Sequence, residues 1–353
     1  MALPVKDLLE LTDKRQASDL HLITGTPPML RIDGELLPVP QEAPLTPKAI
    51  EEHLKACMSA EQLGRLQVNK ELDFSLAHSD TARFRVNAYT QKGSYAVSYR
   101  RIPLTIPTID SLDLPKILHT FTTLRQGLIL VTGPTGHGKS TTLAATLDEI
   151  NMNRSGHIIT IEDPIEFVFT PKKSIISQRE MHNDTHSWPV ALRSVLREDP
   201  DIVLVGEMRD YDTISSTLTI AETGHLVFAT LHTNSAAQTV DRIVDVFPDE
   251  QQKQVRLQLS NVIEAVFSMR LVPAISGGRV VAFEVMLGST AVRTAIREGK
   301  SHQIDSIIQT SSEIGMSTLE SSLARLVREG KIGVGTAQDY ALRPEELNRL
   351  IRR

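Results

Sequence analysis

The sequence predicts two domains: a small α+β domain, then a larger α/β domain built on a mostly parallel sheet. Three observations predict this. Up to the hundredth residue, short runs alternate apolar and polar side chains, the pattern of strands with one buried face. From residue 127 onward, continuous apolar runs alternate with helical patterns, as strands buried on both faces do. Between them lies a seam at 100–115 with Pro103, Pro107 and Pro115, which reads as an extended linker. The expected boundaries are 1–102, a linker at 103–117, and 118–353.

Bulk properties agree with two domains. The chain has 353 residues, long for one ordinary domain. Hydrophobic residues make up 41% and charged residues 23%, the profile of a globular protein with a sizeable core. Acidic residues outnumber basic ones, 43 against 38, and a net charge of −5 gives no general drive toward nucleic acid. A DNA or RNA translocase is therefore disfavoured. The single cysteine, Cys57, excludes a disulfide framework or a cysteine zinc site within one chain. At the N-terminus, Lys6, Asp7, Glu10 and Asp13 interrupt the apolar positions, so the segment is not a signal peptide. Leu8, Leu9 and Leu11 instead read as the buried stripe of a short helix. No apolar run reaches the length of a membrane span. The expected location is the cytoplasm, with membrane contact made through a partner.

In the first domain, strands are expected at 19–22, 82–89 and 95–100, a turn at 25–28, and a helix at 47–68 with proline at its start. In the second, strands are expected at 127–132, 157–161, 201–205, 225–230 and 280–285, with a helix at 140–151. From residue 290 the pattern is mostly helical, with turns near Gly315, Gly330 and Gly335.

Chemistry enters at Gly133-Pro134-Thr135-Gly136-His137-Gly138-Lys139-Ser140, a complete G-x-x-x-x-G-K-[ST] between an apolar strand and a helix. Glycines let backbone N–H groups close around phosphate without a Cβ clash, and the following helix adds its positive end. Lys139 is expected on the β- and γ-phosphates of ATP. Ser140 is expected on Mg²⁺, and Thr141 completes the nucleotide-binding set. Hydrolysis needs acids as well. Glu207 follows the apolar strand at 202–205, the Walker B placement, and Glu162 follows the strand at 158–161. Ligands bind at the carboxyl ends of such strands, so both acids are expected to face the phosphates. Either alone reads as a solvated strand-end acid; two beside a phosphate loop do not. These acids also argue against an adaptor that binds ATP without turning it over.

The order of these segments resembles the secretion-type ATPases. Glu162-Asp163-Pro164-Ile165-Glu166-Phe167 is similar to their Asp box, Asp201 to Asp210 to their Walker B segment, and Glu222 to Thr233 to their His box. Within that superfamily the chain most resembles the PilT-type retraction ATPases of type IV pili. It lacks the four-cysteine insertion of the pilus-assembly and type II secretion relatives, which remain the alternative. The segment at 291–298 is similar to a C-terminal retraction motif but departs from it at Val292, Thr294 and Ala295, and His137 stands where serine is usual.

The resemblance implies a RecA-like ATPase domain behind a PAS-like N-terminal domain, a homohexamer, ATP and Mg²⁺ as ligands, and docking at the inner membrane on a pilus platform protein. It also implies pilus retraction and twitching motility as the output. It makes Glu162 the general base, gives Mg²⁺ to Ser140 and Glu207, and places His232 near the γ-phosphate. Without it, His225 and His232 read as strand-end packing. The small domain offers Arg83, Arg85, Arg100 and Arg101. Arginine forks suit phosphate, and Arg85 and Arg100 are the expected catalytic pair when the domains close. Trp188 reads as packing, and Arg193 and Arg197 as neighbours on one helix.

Overall fold

The computed structural model describes residues 3–32, 34–79, 82–103 and 105–352. The chain divides into two compact units, Met1–Thr105 with Pro164–Val168, and Ile106–Asp163 with Phe169–Arg353. It therefore leaves the larger unit after Asp163 and re-enters it at Phe169.

The smaller unit runs α1 (Val5–Lys14), β1 (Asp19–Ile23), β2 (Met29–Ile32), β3 (Glu35–Pro38), α2 (Pro47–Cys57), α3 (Ala60–Asn69), β4 (Glu71–Ser79), β5 (Ala82–Gln91) and β6 (Ser94–Pro103). Its strands form one antiparallel sheet in the order β3-β2-β1-β6-β5-β4. Strand alternation builds the core. Phe84, Val86 and Ala88 of β5 are buried with Leu8 and Leu9 of α1, Ile50 and Leu54 of α2, and Leu66 of α3. Arg83, Arg85 and Asn87, the intervening residues, are half-buried on the opposite face.

Two local expectations change here. The helix at 47–68 is broken into α2 and α3, because Ser59 opens a capping box. Its hydroxyl accepts from the Gln62 N–H at 3.2 Å, and the Gln62 side chain accepts from the Ser59 N–H at 2.9 Å. The buried stripe of α1 is Val5, Leu8, Leu9 and Thr12, with Leu11 only half-buried. Thr12 is tolerated there because its hydroxyl donates to the Leu8 carbonyl at 2.7 Å.

The larger unit opens with α4 (Ile117–Phe121), β7 (Gly127–Thr132), α5 (Lys139–Asn153), β8 (His157–Glu162), β9 (Ile175–Glu180), α6 (Trp188–Val195), β10 (Ile202–Val205), α7 (Tyr211–Glu222) and β11 (Leu226–Leu231). It continues with α8 (Ala236–Asp245), α9 (Asp249–Val262), β12 (Ile263–Pro273), β13 (Arg279–Leu287), α10 (Thr290–Arg297), α11 (Ile304–Thr310), α12 (Leu319–Arg328), α13 (Val334–Tyr340) and α14 (Pro344–Ile351). The sheet order is β13-β12-β7-β11-β10-β8-β9, parallel except for the β12–β13 pair. Every residue of β7, β10 and β11 is buried, which is why their sequences are continuously apolar.

β9 and β12 have no counterpart in the sequence expectation. β12 follows α9 with no intervening residue, so no turn signal marks its start. β9, Ile175-Ile176-Ser177-Gln178-Arg179-Glu180, is an edge strand with only Glu180 buried, and carries little apolar pattern. Gly335 lies inside α13 rather than at a turn; the chain turns at Gly330, whose φ is +68°. The seam is not extended throughout. Hydrogen-bonded turns occupy 108–114, where the Leu114 N–H donates to the Ile109 carbonyl and both side chains are buried. Arg197 lies in the turn after α6 rather than on the helix with Arg193. A second core, with Val272, Ala282, Leu323, Ile332 and Leu347, joins α12–α14 to the β12–β13 end of the sheet. Among the described residues, no helix is long and apolar enough to cross a membrane.

Candidate active site

Parallel pairing brings the carboxyl ends of β7, β11, β10 and β8 to one edge. Thr132 is level with Leu231, Ala229 with Val205, and Val205 with Ile161. The phosphate loop, His232, Glu207 and Glu162 follow those ends directly. His225 sits at the start of β11, the far edge, where its Nδ1 lies 3.0 Å from the Ile220 carbonyl, in keeping with packing.

The loop requires its glycines at two points. Gly133 has φ +141°, and a Cβ there would lie 2.3 Å from the Met269 carbonyl oxygen of β12. Gly138 has φ +90° and precedes α5 with no side-chain cap, so the helix N-terminus at Lys139, Ser140 and Thr141 begins directly at the loop. His137 adds an anchor. β12 runs past Ser268, its last residue paired with β7, and the Leu271 N–H donates to His137 Nδ1 at 2.9 Å. Burial, then the positive charges of Arg270, Arg279 and Lys139, hold the His137 pKa below its usual value, which keeps that nitrogen an acceptor.

Lys139 is buried. Its Nζ donates to the carbonyls of Gly133 at 2.8 Å and Pro134 at 3.1 Å, and it lies 3.4 Å from His232 Nδ1. The other ring nitrogen, His232 Nε2, lies 3.0 Å from Glu207 Oε1. Lysine can only donate and carboxylate only accept, so the network assigns the tautomer with the proton on Nε2. Thr135 Oγ1, 3.2 Å from Nδ1, fits the same assignment as a donor. Glu207 Oε2 accepts from Arg209 at 2.7 Å. Burial alone would raise the Glu207 pKa, but the hydrogen bonds from Arg209 and His232 and the Arg209 charge outweigh it and hold the pKa below the usual value.

Glu162 is buried at the end of β8, and its Oε1 accepts from Thr160 Oγ1 at 2.6 Å. Gly206 explains how Glu207 reaches the same place. A Cβ at Gly206 would lie 3.1 Å from the Ile161 carbonyl and 3.2 Å from Glu162 Cα, so any side chain there would press on the end of β8. Trp188 packs over the same glycine. Thr230 closes the third side by donating to the Gly206 carbonyl at 2.6 Å. Gly206, Thr160, Thr230 and Met269 were not singled out in the sequence. Only Gly206, inside Val-Gly-Glu at a strand end, carried a readable signal.

In the smaller unit, Arg85 and Arg100 are cross-strand partners on the polar face. Arg100 Nε donates to buried Asp19 at 2.9 Å. Arg101 belongs to the other face, where it donates to Asp13 of α1 at 2.6 Å.

A glycine-lined loop, an inward lysine, and a histidine linking that lysine to a strand-end carboxylate define a P-loop nucleotide-binding protein of the ATPase class. The chain belongs to the Type II/IV secretion system protein family, which matches residues 5–334. It is 48% identical over 341 residues to the type IV pilus retractation ATPase PilT of Pseudomonas aeruginosa, covering 97% of this chain and 99% of the relative. It is 44% identical over 351 residues to a twitching motility protein of Neisseria gonorrhoeae, covering 99% and 93%. A crystal structure of the pilus retraction motor PilT with bound ADP superposes with a TM-score of 0.92 at 45% identity, covering 98% of this chain and 99% of that one.

Proposed function

We propose that this chain is an ATP-hydrolysing motor that powers type IV pilus retraction as a homohexamer docked on an inner-membrane platform protein. The observation that carries the chemistry is the Lys139–His232–Glu207 chain, which connects the phosphate loop to the strand-end acid. The likeness to retraction ATPases along nearly the whole chain supports the output.

Each residue then has a task. The N–H groups of the loop and of the first turn of α5 hold the phosphates, and Lys139 turns from the loop carbonyls onto the β- and γ-phosphates. The donor set fits Mg²⁺, which binds nucleotide through one or two protein oxygens, here Ser140 and Glu207. Bound there, Mg²⁺ supplies charge neutralisation on the phosphate oxygens. Glu162, buried and with Oε1 fixed by Thr160, takes the proton of the attacking water. When Lys139 turns onto the phosphates it releases His232 Nδ1, and His232 passes that change to Glu207 through its Nε2–H. Arg85 and Arg100 add positive charge to the transition state when the two domains, 1–102 and 118–353, close about the segment at 103–117.

The proposal is tested by deleting the gene in its source organism. Surface pili that persist but no longer retract support it. Loss of surface pili points instead to an assembly motor.

A further inference from the structure

Glu162 and Phe169 bracket the excursion of Pro164–Val168 into the smaller unit, with Glu162 just before the chain leaves and Phe169 where it returns. One side chain of β9 holds both. Gln178 Oε1 accepts from the Phe169 N–H at 2.8 Å, and Gln178 Nε2 donates to Glu162 Oε1 at 3.4 Å. The amide cannot be flipped without facing Phe169 with a second donor, so its orientation is set by the backbone. Thr160, level with Gln178 in the β8–β9 register, donates to the same Glu162 oxygen at 2.6 Å. Two donors therefore converge on one oxygen of the carboxylate, and one of them is keyed to the return of the excursion.

We propose that Gln178 is a positioning residue for hydrolysis, which orients the Glu162 carboxylate and ties that orientation to the backbone at Phe169. The inference rests on Glu162 acting as general base. Through Gln178, a displacement of the excursion's return point reaches the base as well as the outgoing backbone at Asp163. Thr160 supplies the fixed half of the grip and Gln178 the adjustable half.

The test uses Gln178→Glu in the full-length protein, with ADP affinity and kcat measured separately. Glutamate keeps an acceptor for the Phe169 N–H but removes the donor to Glu162. It sets a second carboxylate beside the base, which repels it or competes for its proton. A positioned base contributes about 10²- to 10⁴-fold, so the expected loss in kcat is about 10- to 100-fold, with ADP affinity within about twofold of wild type. Gln178→Met, which loses both bonds, falls in the same range. If Gln178 only braces Phe169, Gln178→Met, which adds no charge beside the base, keeps the wild-type kcat; that result overturns the proposal. Thr160→Val against Thr160→Ser gives an independent reading: the inference requires kcat to fall in the first and be kept in the second. Glu162→Gln separates the two levels. If it is inactive while Gln178→Glu and Thr160→Val are normal, the base stands and the positioning role is wrong. If it hydrolyses at the wild-type rate, the reading of Glu162 fails and takes the inference with it.

Discussion

His232 Nε2 lies 3.0 Å from Glu207 Oε1, so a residue of the β11 end is bonded to the acid of the β10 end at the mouth of the phosphate loop. Replacing the ring removes the connection from Lys139 to Glu207 but leaves the loop intact. His232→Ala is expected to lower kcat by about 10- to 100-fold, with ADP binding changed by less than about threefold. Steady-state hydrolysis and a fluorescent-nucleotide titration of the same sample check this.

Gly133→Ala is expected to be far more disruptive than its size implies. The new methyl group would lie 2.3 Å from the Met269 carbonyl oxygen, backbone that cannot move aside without shifting β12. A φ of +141° adds strain for any L side chain. Nucleotide affinity should fall at least about tenfold, and stability by about 1–3 kcal/mol, read by titration and by denaturant unfolding.

Much of the site was legible in the sequence. Glycine spacing, strand-end position and acid identity are local properties, and they located the phosphate loop, Glu162 and Glu207. The rest depends on which residues stand opposite one another. Met269 meets Gly133 across 136 positions, and Gln178 meets Glu162 only through the β8–β9 register. Arg100 and Arg101 look equivalent in the sequence, yet pairing sets Arg100 beside Arg85 and Arg101 beside Phe84, on opposite faces. The strand β12 was hidden because it continues α9 without a break.

His137 gives a second structural prediction. Its Nδ1 is the acceptor for the Leu271 N–H, so His137→Ala leaves that group without this partner and should cost about 1 kcal/mol of stability. The native pKa is held below the unfolded one, so the unfolded state binds the extra proton first. The contribution of His137 is therefore complete above the ordinary histidine range and is lost as the pH falls through the lowered native value. The difference between wild type and His137→Ala should shrink on acidification below about pH 6.5. Denaturant unfolding across pH 5–8 measures it.

Glu284 has the opposite sign. It is buried on β13, with Oε1 accepting from the Ala236 N–H at 2.7 Å, and Arg343 is 3.7 Å from Oε2. Burial first raises its pKa. Asp305 and Glu320 raise it further, against the lowering effects of the Ala236 bond and Arg343, and the result is about 7. An unfolded chain loses this proton at lower pH than the native one, so rising pH removes stability between about 4.5 and 7. Glu284→Gln keeps an acceptor for Ala236 and cannot ionise. It should gain on wild type by up to about 3 kcal/mol as the pH rises from 5 to 8. A constant difference across that range would show that Glu284 does not titrate there.

The most direct test of the account is ATP hydrolysis by purified wild type against Glu162→Gln, with ATP binding measured on both. The predicted result is a fall in turnover of at least about 10²-fold in the variant with ATP still bound. Equal rates in the two proteins would contradict Glu162 as the base, and no turnover in wild type would contradict the reading of this chain as a self-sufficient hydrolytic motor.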